Sequence, residues 1–326
     1  MIGVIGATGH LGNVLTKELV RRGYRVRAII PEREDITPIR DSPVEIFRAD
    51  ITDLSSITIA TQGLECVFHC AGIIGISGKQ KNLMYKVNVE GTKNVIEACI
   101  KNDVRRLIYT SSVHAIVEPS HKEVINETCG IDPNKVYGDY AKTKSLATVV
   151  VSEAIRKGFD AIILCPSGII GPFDYKISEM GQLMLDFVNR RLKAYIDGAY
   201  NFVDVRDVVS GHIEAMERGK HGELYILGGE TISVFEILDL LESITGIEKP
   251  NVKIPYWIAY ATSPFTPIYY DLVKTKPLFT TYSVKVLHSN ANISSKKAIE
   301  QLGYSFRDVR ESIKDSYLWF KEQGKV

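Results

Sequence analysis

Short apolar runs alternate with segments of helical spacing along the first half of the chain. The runs predict strands at 2–6, 24–30, 44–47, 66–69, 107–110 and 161–164. Apolar residues three or four positions apart predict helices that cover 11–19, 83–100 and 140–156. Buried apolar strands separated by helices are typical of a parallel sheet covered on both faces. We therefore expect an α/β fold in which ligands bind at the carboxyl ends of the strands.

The pattern becomes less regular after residue 165. It predicts helices at 178–189 and 207–217, strands at 202–205 and 224–227, and a helix that Ser233 and Glu236 cap. Val309, Ile313, Tyr317 and Phe320 form an apolar stripe on a last helix. We predict a dinucleotide-binding domain over 1–165 with a returning segment at about 198–230. Residues 166–197 and 231–326 are expected to form a smaller, mixed C-terminal substrate lobe.

A glycine-rich turn joins the first predicted strand to the first helix. Gly6, Gly9 and Gly12 follow a GxxGxxG spacing, whereas the commonest dinucleotide fingerprint is GxGxxG. Gly6 permits a tight turn, Gly9 lets the backbone approach a pyrophosphate, and Gly12 allows close packing of the helix. The helix amino terminus then offers free amides to the phosphates. The expected cofactor contacts at this turn are Gly6, Thr8, Gly9, His10, Leu11 and Gly12. This context predicts a Rossmann-type, doubly wound sheet.

The ends of the other strands add residues to the expected cofactor site. Cys70, Ala71 and Gly72 follow the fourth strand, and Pro166 follows the sixth. Asp50 and Ile51, after the third strand, are expected to flank the adenine.

The residue that ends the second strand bears on the choice of cofactor. An acidic residue there usually binds an unphosphorylated ribose, but this position holds Ile30, and Arg33 follows shortly after. Arg33 favours NADP over NAD, because a guanidinium suits a 2′-phosphate. The alternative is that Arg33 is a solvated loop charge, and the neighbouring Glu32 weighs against a phosphate.

A tyrosine and a lysine lie four residues apart on one predicted helix. The spacing of Tyr140 and Lys144 places both side chains on one face. A buried lysine and a cationic nicotinamide would lower the pKa of the tyrosine, which could then exchange a proton with a substrate oxygen. Ser112 follows the fifth strand, where its hydroxyl could orient that oxygen.

Six motifs in the same order carry a family resemblance. They are 6–12, His69-Cys70-Ala71-Gly72, Asn88-Val89-Glu90-Gly91-Thr92, Thr110-Ser111-Ser112, 140–144 and Phe202-Val203-Asp204-Val205. The chain resembles an extended short-chain dehydrogenase/reductase of the NAD-dependent epimerase/dehydratase superfamily. Three further stretches, 171–174, 195–197 and 225–229, resemble its dihydroflavonol 4-reductase and 3β-hydroxysteroid dehydrogenase-like branch. The resemblance implies a catalytic Ser112, a general acid/base Tyr140 and its partner Lys144. It also implies that Asn88 lies near the proton path, with a capping or backbone-bridging role as the alternative. It further implies a homodimer through the helices at 83–100 and 140–156.

Several positions distinguish a reductase from a nucleotide-sugar enzyme. The arginine that many nucleotide-sugar enzymes of the family carry before the strand at 202–205 is absent, because Tyr200 and Asn201 stand there. Val113 and His114 replace the acidic pair of the dehydratases. Apolar residues follow two strand ends, and an aromatic segment at 257–272 could cover an apolar substrate. These pocket residues are Ile73, Ile74, Ile76, Ile169, Ile170, Trp257, Tyr260, Phe265, Tyr269 and Tyr270.

We therefore predict an NAD(P)-dependent oxidoreductase that reduces a carbonyl, or oxidises the secondary alcohol, of an apolar small molecule. Ser112, His114, Tyr140, Ile73 and Ile169 are its expected substrate contacts, although His114 could instead be a packed histidine. The alternatives are a nucleotide-sugar 4-epimerase and, from another class, a non-catalytic cofactor-sensing regulator. Such regulators tend to lose the catalytic tyrosine or lysine, and both are present here.

Composition narrows the remaining classes. The 326 residues are 45% hydrophobic and 24% charged, as in ordinary globular proteins. A net charge of +1 argues against a nucleic-acid partner. Five cysteines without metal-ligand spacing lead us to expect no metal, reduced thiols and a cytoplasmic protein.

Neither a signal peptide nor a transmembrane segment is expected. An apolar strand at residue 2 leaves no room for a signal peptide, and Pro264 and Pro267 interrupt the aromatic segment. An interfacial membrane contact by that segment stays an alternative.

Overall fold

Twelve strands are present in the residues that the computed structural model describes, which are 1–75, 80–266 and 280–326. In chain order they are β1 (Ile2–Ile5), β2 (Val26–Ile30), β3 (Glu45–Arg48), β4 (Cys66–His69), β5 (Arg106–Thr110), β6 (Ala161–Pro166), β7 (Gly168–Ile170), β8 (Tyr195–Ile196), β9 (Ala199–Asp204), β10 (Leu224–Leu227), β11 (Glu230–Ser233) and β12 (Lys253–Ile254).

The helices of the described residues begin with α1 (His10–Arg21) and α2 (Leu54–Ala60). The others are α3 (Lys81–Met84), α4 (Gly91–Lys101), α5 (Asp139–Arg156), α6 (Glu179–Val188), α7 (Val205–Arg218), α8 (Val234–Thr245), α9 (Tyr256–Thr262), α10 (Thr281–Val286), α11 (Lys296–Leu302) and α12 (Val309–Glu322). A π-helical turn, Tyr85–Glu90, joins α3 to α4. Among the described residues, none of the helices has the length and apolar character needed to span a bilayer.

A seven-stranded sheet with the order β10-β6-β5-β4-β1-β2-β3 forms the centre of the molecule. Every neighbouring pair is parallel, as in the pairing of Val4 with Phe68 and of Thr110 with Leu164. The predicted Rossmann-type parallel sheet is confirmed. The strand order reverses between β1 and β4, and this switch point is where such sheets bind ligands.

Apolar side chains fill both faces of this sheet. On one face, Leu15 of α1 and Val208 of α7 pack against the strands. On the other, Val95 of α4 and Val151 of α5 do so. This packing on both faces explains why the inner strands are mostly apolar, whereas the edge strand β3 carries the exposed Glu45 and Arg48.

A second, mixed sheet holds the residues that follow β6. Strand β9 pairs in parallel with β7 and antiparallel with β11, and a separate core forms beside it around Leu241, Trp319 and Phe320. Two details differ from the sequence-based expectation. Val205 begins α7 instead of ending a strand, because Asp204 caps that helix through the backbone N–H of Arg206. Trp319 is buried on α12, whereas Tyr317 of the predicted stripe is only half-buried.

Candidate active site

The glycine-rich turn lies between β1 and α1, at the switch point. Gly6 has a φ of +83°, and a Cβ there would lie 2.8 Å from the backbone nitrogen of Ala71. A Cβ on Gly12 would lie 2.1 Å from the carbonyl oxygen of Gly6. At Gly9 the only atom within 4 Å would be the Gly6 carbonyl oxygen at 3.4 Å, an ordinary van der Waals contact, so this position is less crowded than the other two. No side chain of the described residues caps α1, and its first amides are available to an anion.

Two side chains fix this turn to the segment after β7. His10 forms a hydrogen bond through Nε2 to the Pro172 carbonyl at 2.9 Å. The Asn13 amide donates to the carbonyls of Gly9 and Phe173 at 2.8 and 3.2 Å. Both side chains are thus used for structure, so His10 can reach a phosphate only through its backbone. Leu11 and Thr8 are buried, so they too can contact a phosphate only through their backbone.

The loop after β2 carries Arg33, which is exposed and forms no hydrogen bond or ion pair within the described part of the chain. Arg48, at the end of β3, donates to the carbonyls of Pro31 and Glu32 and so holds this loop in place. Arg48 is not among the cofactor-site residues expected from the sequence. Asp50 accepts hydrogen bonds from the amide and the hydroxyl of Thr52, both at 2.8 Å, and so stabilises the turn after β3.

Tyr140 and Lys144 lie one turn apart on α5, beside the carboxyl end of β5. The Lys144 ammonium group is buried and donates to the Thr110 carbonyl at 2.8 Å. Burial lowers the pKa of Lys144 to about 8. Burial raises the pKa of Tyr140 to about 12, and the Ser112 hydroxyl opposes this shift. Without a bound cofactor Tyr140 is therefore a neutral phenol, the form that can donate a proton to a carbonyl oxygen.

Ser112 precedes a short 3₁₀ turn. Its Oγ accepts a hydrogen bond from the backbone N–H of His114 at 3.2 Å, which fixes the side chain beside Tyr140. The preceding Ser111 points into α5 instead, where its hydroxyl contacts that of Thr148 at 2.6 Å. The structure therefore separates the two serines, and only Ser112 neighbours the phenol.

Asn88 lies in the π-helical turn before α4. Its Oδ1 accepts from the Ile73 backbone N–H at 2.8 Å, while its Nδ2 donates to the Ile73 carbonyl at 3.0 Å and to Thr143 Oγ1 at 3.1 Å. The backbone-bridging role is therefore the one that the structure contains. A Cβ on Gly72 would lie 3.3 Å from Lys144 Nζ, so the loop that Asn88 holds passes directly over the lysine. Short π-helical turns are frequent at functional sites.

Three rings form an aromatic wall beside Tyr140: His114, Tyr200 and Tyr282. His114 stacks on Tyr200 at a centroid distance of 5.6 Å, and its Nε2 is hydrogen-bonded to the Tyr200 hydroxyl at 2.8 Å. His114 meets Tyr140 edge-on at 6.3 Å and Tyr282 at 6.0 Å. Burial lowers the pKa of His114 to about 4, which keeps the ring neutral. Sequence reasoning missed Tyr200 and Tyr282, since no local pattern connects them to residue 140.

A buried polar network lies behind the site. The Thr110 hydroxyl contacts Nε2 of His212 at 2.9 Å, and His212 Nδ1 lies 2.8 Å from the Val208 carbonyl. Because the Val208 carbonyl can only accept, Nδ1 carries the proton and Nε2 accepts from Thr110. This ties α7 to the end of β5. In the sequence His212 is only one more position on an amphipathic helix, so it carried no signal.

The predicted pocket residues occupy different environments. Ile73 is half-buried and Ile74 is 62% exposed, while Ile169 packs against the core that covers the α1 face and Ile170 is buried in the second core. Trp257 is 70% exposed, so in this structure it covers no pocket. Ile76, Tyr269 and Tyr270 lie outside the described residues, as does the Phe265 side chain.

The residues around the switch point fit a dinucleotide. Glycines clear the space at the turn, and the first turn of α1 provides amides. Pro166 ends β6, and the buried hydroxyl of the next residue, Ser167, has no hydrogen-bond partner. An unpaired buried hydroxyl at a sheet's carboxyl edge suits the polar edge of a bound cofactor. The fold and this arrangement define a nucleotide-binding protein of the Rossmann type.

Comparison with known proteins identifies the family to which the chain belongs. The model of the NAD dependent epimerase/dehydratase family matches residues 2–228. The chain is 33% identical to sterol demethylase protein B of Methylococcus capsulatus, with 99% of each chain covered. It is 31% identical to a putative dihydroflavonol 4-reductase of Synechocystis sp., over 99% of this chain and 95% of that one. The crystal structure of gox2253 superposes with a TM-score of 0.88 at 32% identity, over 100% of this chain and 99% of that one.

The chain therefore belongs to the NAD-dependent epimerase/dehydratase family, within the extended short-chain dehydrogenases/reductases. It is an enzyme of this nicotinamide-dependent class, as the sequence predicted.

Proposed function

We propose that the protein is an NAD(P)-dependent oxidoreductase that interconverts a ketone and a secondary alcohol on an apolar ring compound. The single observation that carries this proposal is the placement of Ser112, Tyr140 and Lys144 together at the carboxyl end of β5. The two curated relatives are named for a sterol and for a dihydroflavonol, both of which are polycyclic small molecules, and this supports the substrate class.

The proposed chemistry divides the work among these three side chains. A bound nicotinamide supplies or accepts the hydride. Ser112 holds the substrate oxygen by a hydrogen bond, and Tyr140 donates its phenolic proton to that oxygen during reduction. Lys144 lies one turn away, and its positive charge stabilises the phenolate that remains. In the oxidative direction Tyr140 takes the proton back. Asn88 positions the Ile73 loop over Lys144.

A nucleotide-sugar 4-epimerase is the alternative within the family. An epimerase would have to bind a second pyrophosphate, for which cations are needed. The residues beside Tyr140 are instead the neutral rings of the aromatic wall. The basic cluster of Arg190, Arg191 and Lys193 is exposed or half-exposed at the end of α6. These observations favour the oxidoreductase.

We propose NADP as the preferred cofactor because Arg33 is exposed beside β2 and pairs with none of the described residues. Arg33→Ser is expected to raise the KM for NADPH about tenfold, the equivalent of one charge-assisted hydrogen bond, and to leave the KM for NADH unchanged. Arg40→Ser, on the same loop but bonded to Thr37, is the matched control. An equal change in the KM for NADPH and in the KM for NADH would mean that Arg33 is a solvated loop charge and does not contact the 2′-phosphate.

The roles of the domains, the cellular location and the oligomeric state are also part of the proposal. Residues 1–165 with 198–230 would bind the cofactor, and 166–197 with 231–326 would shape the substrate site. We propose a cytoplasmic homodimer in which α4 and α5 pack against their copies, since Ile100 is 53% exposed there and borders a surface groove with Val150. A monomeric mass in solution would contradict the dimer.

A titration of the purified protein with NADPH and NADH, with and without UDP-sugars, tests the proposed function. We expect tight binding of NADPH that UDP-glucose and UDP-galactose do not affect. Tightly retained NAD together with clear binding of a UDP-sugar would identify an epimerase instead.

A further inference from the structure

The Tyr282 hydroxyl is buried and has no hydrogen-bond partner among the described residues. An unpaired buried hydroxyl is unfavourable, because it has lost its hydrogen bonds to water without gaining others. The other hydroxyl of the aromatic wall, that of Tyr200, is satisfied by His114. Tyr282 therefore carries the one wall hydroxyl, among the described residues, whose hydrogen-bonding capacity is unused.

The ring of Tyr282 is held against the start of α5. A Cβ on Gly138 would lie 2.8 Å from two carbons of this ring, so the ring rests on the backbone two residues before Tyr140. Gly138 has a φ of +90°, a second reason why this position suits glycine. Tyr282 thus occupies a fixed place beside the phenol that exchanges the proton.

Several contacts fix the short helix that carries Tyr282. Thr280 caps α10 by accepting from the Ser283 amide at 3.0 Å, and Ser283 in turn accepts from the Thr280 amide at 2.8 Å. The Thr281 hydroxyl accepts a hydrogen bond from Ser263 at 2.9 Å. The Tyr282 hydroxyl is therefore preorganised, which reduces the entropy that binding would cost.

The charge around this hydroxyl selects the group that it can bind. Burial raises the pKa of Tyr282 and of Tyr200, so both phenols stay neutral, and His114 is neutral as well. The carboxylate of Glu179 acts on both phenols and that of Glu118 acts on Tyr200, and both would repel an anionic group. A neutral oxygen, either a hydroxyl or a carbonyl, fits this environment, and a carboxylate or a phosphate does not.

We propose that the Tyr282 hydroxyl binds a second, neutral oxygen of the substrate, distinct from the oxygen on the reacting carbon. The inference rests on the proposed function and narrows its substrate class to ring ketones or alcohols that carry a further hydroxyl or carbonyl. Tyr282 is then a specificity-determining residue, whereas Ser112 and Tyr140 act on the reacting oxygen.

Binding of matched bicyclic ketones to the NADP⁺-loaded protein tests this assignment. The probes are 1-tetralone and its 5-, 6- and 7-hydroxy derivatives. The wild type is expected to bind at least one hydroxy derivative about five- to tenfold more tightly than 1-tetralone, the equivalent of one hydrogen bond. Tyr282→Phe is expected to lose this preference and to keep the wild-type Kd for 1-tetralone. Tyr256→Phe, which alters a half-buried tyrosine stacked on His288 in the same lobe, is expected to keep the preference.

Three results would overturn the assignment. The first is a wild type with no preference for any hydroxy derivative, the second is a Tyr282→Phe variant that retains the wild-type preference, and the third is a Tyr282→Phe variant that binds all four ketones more weakly by the same factor. Turnover with NADPH distinguishes this inference from the proposed function. A wild type that binds as expected but reduces no ketone contradicts the oxidoreductase and leaves the Tyr282 contact intact. A wild type that reduces ketones without a Tyr282-dependent preference contradicts only the Tyr282 contact.

Discussion

Tyr140→Phe is expected to lower kcat for ketone reduction about 10³-fold while the Kd for NADPH stays within about twofold. The substitution removes only the phenolic oxygen, so the ring contact with His114 is retained and the fold should be unaffected. In the proposed mechanism Tyr140, which is a neutral phenol in the free protein, donates the proton to the alcohol that forms. Steady-state rates and a cofactor titration measure both quantities.

Tyr137→Phe is the control for that experiment. Tyr137 lies three residues before Tyr140, is exposed, and packs under the Lys285 ammonium group at 3.3 Å. Its substitution should leave kcat within about twofold, because an exposed phenol makes little contribution to a buried reaction centre. A Tyr140→Phe variant with unchanged turnover would refute the role assigned to this residue, and a variant that no longer binds NADPH would make the residue structural.

The second large effect concerns stability in acid. His69 and His212 are fully buried, and burial lowers their pKa values to about 3 and about 4. Both rings are therefore neutral in the folded protein, whereas they take up protons at about pH 6.5 when unfolded. The unfolded state binds more protons as the pH falls below 6.5, so the free energy of unfolding must decrease there. Protonation of these two histidines in the unfolded state should lower the free energy of unfolding by about 4 kcal/mol at pH 5 relative to pH 7.

Urea unfolding at several pH values between 7 and 5 measures this loss. His212→Gln removes one of the two groups, so the decrease in the free energy of unfolding between pH 7 and pH 5 should shrink by about 2 kcal/mol. His121→Gln changes an exposed histidine and should leave the decrease as it is in the wild type. An identical pH dependence in the wild type and His212→Gln would mean that His212 is not kept neutral by the fold.

The central sheet could be predicted because its signals are local. Six of the seven strands are largely buried, while the edge strand β3 is exposed, and the helices repeat apolar positions at the helical period. The glycine turn and the Tyr140-Lys144 pair are equally local, since a few consecutive positions carry them. The family resemblance then added Asn88 and the choice between Ser111 and Ser112.

The aromatic wall could not be predicted because it is assembled from distant segments. His114 follows β5, Tyr200 lies on β9 and Tyr282 on α10, and they meet only when β9 and α10 pack beside the start of α5. The role of Asn88 depended in the same way on Ile73, fifteen residues away, whose backbone it bridges. Arg48 and His212 were missed because a strand-end arginine and a helical histidine have no pattern that distinguishes them from solvated or packed residues.

The most direct test of the account follows the hydride itself. The wild-type protein is incubated with NADPH that carries deuterium at both C4 positions, together with bicyclic ketones and UDP-glucose, and the products are analysed by mass spectrometry. We expect an alcohol with one deuterium on the former carbonyl carbon, and we expect that no UDP-galactose is formed. Formation of UDP-galactose without a deuterated alcohol would contradict the account.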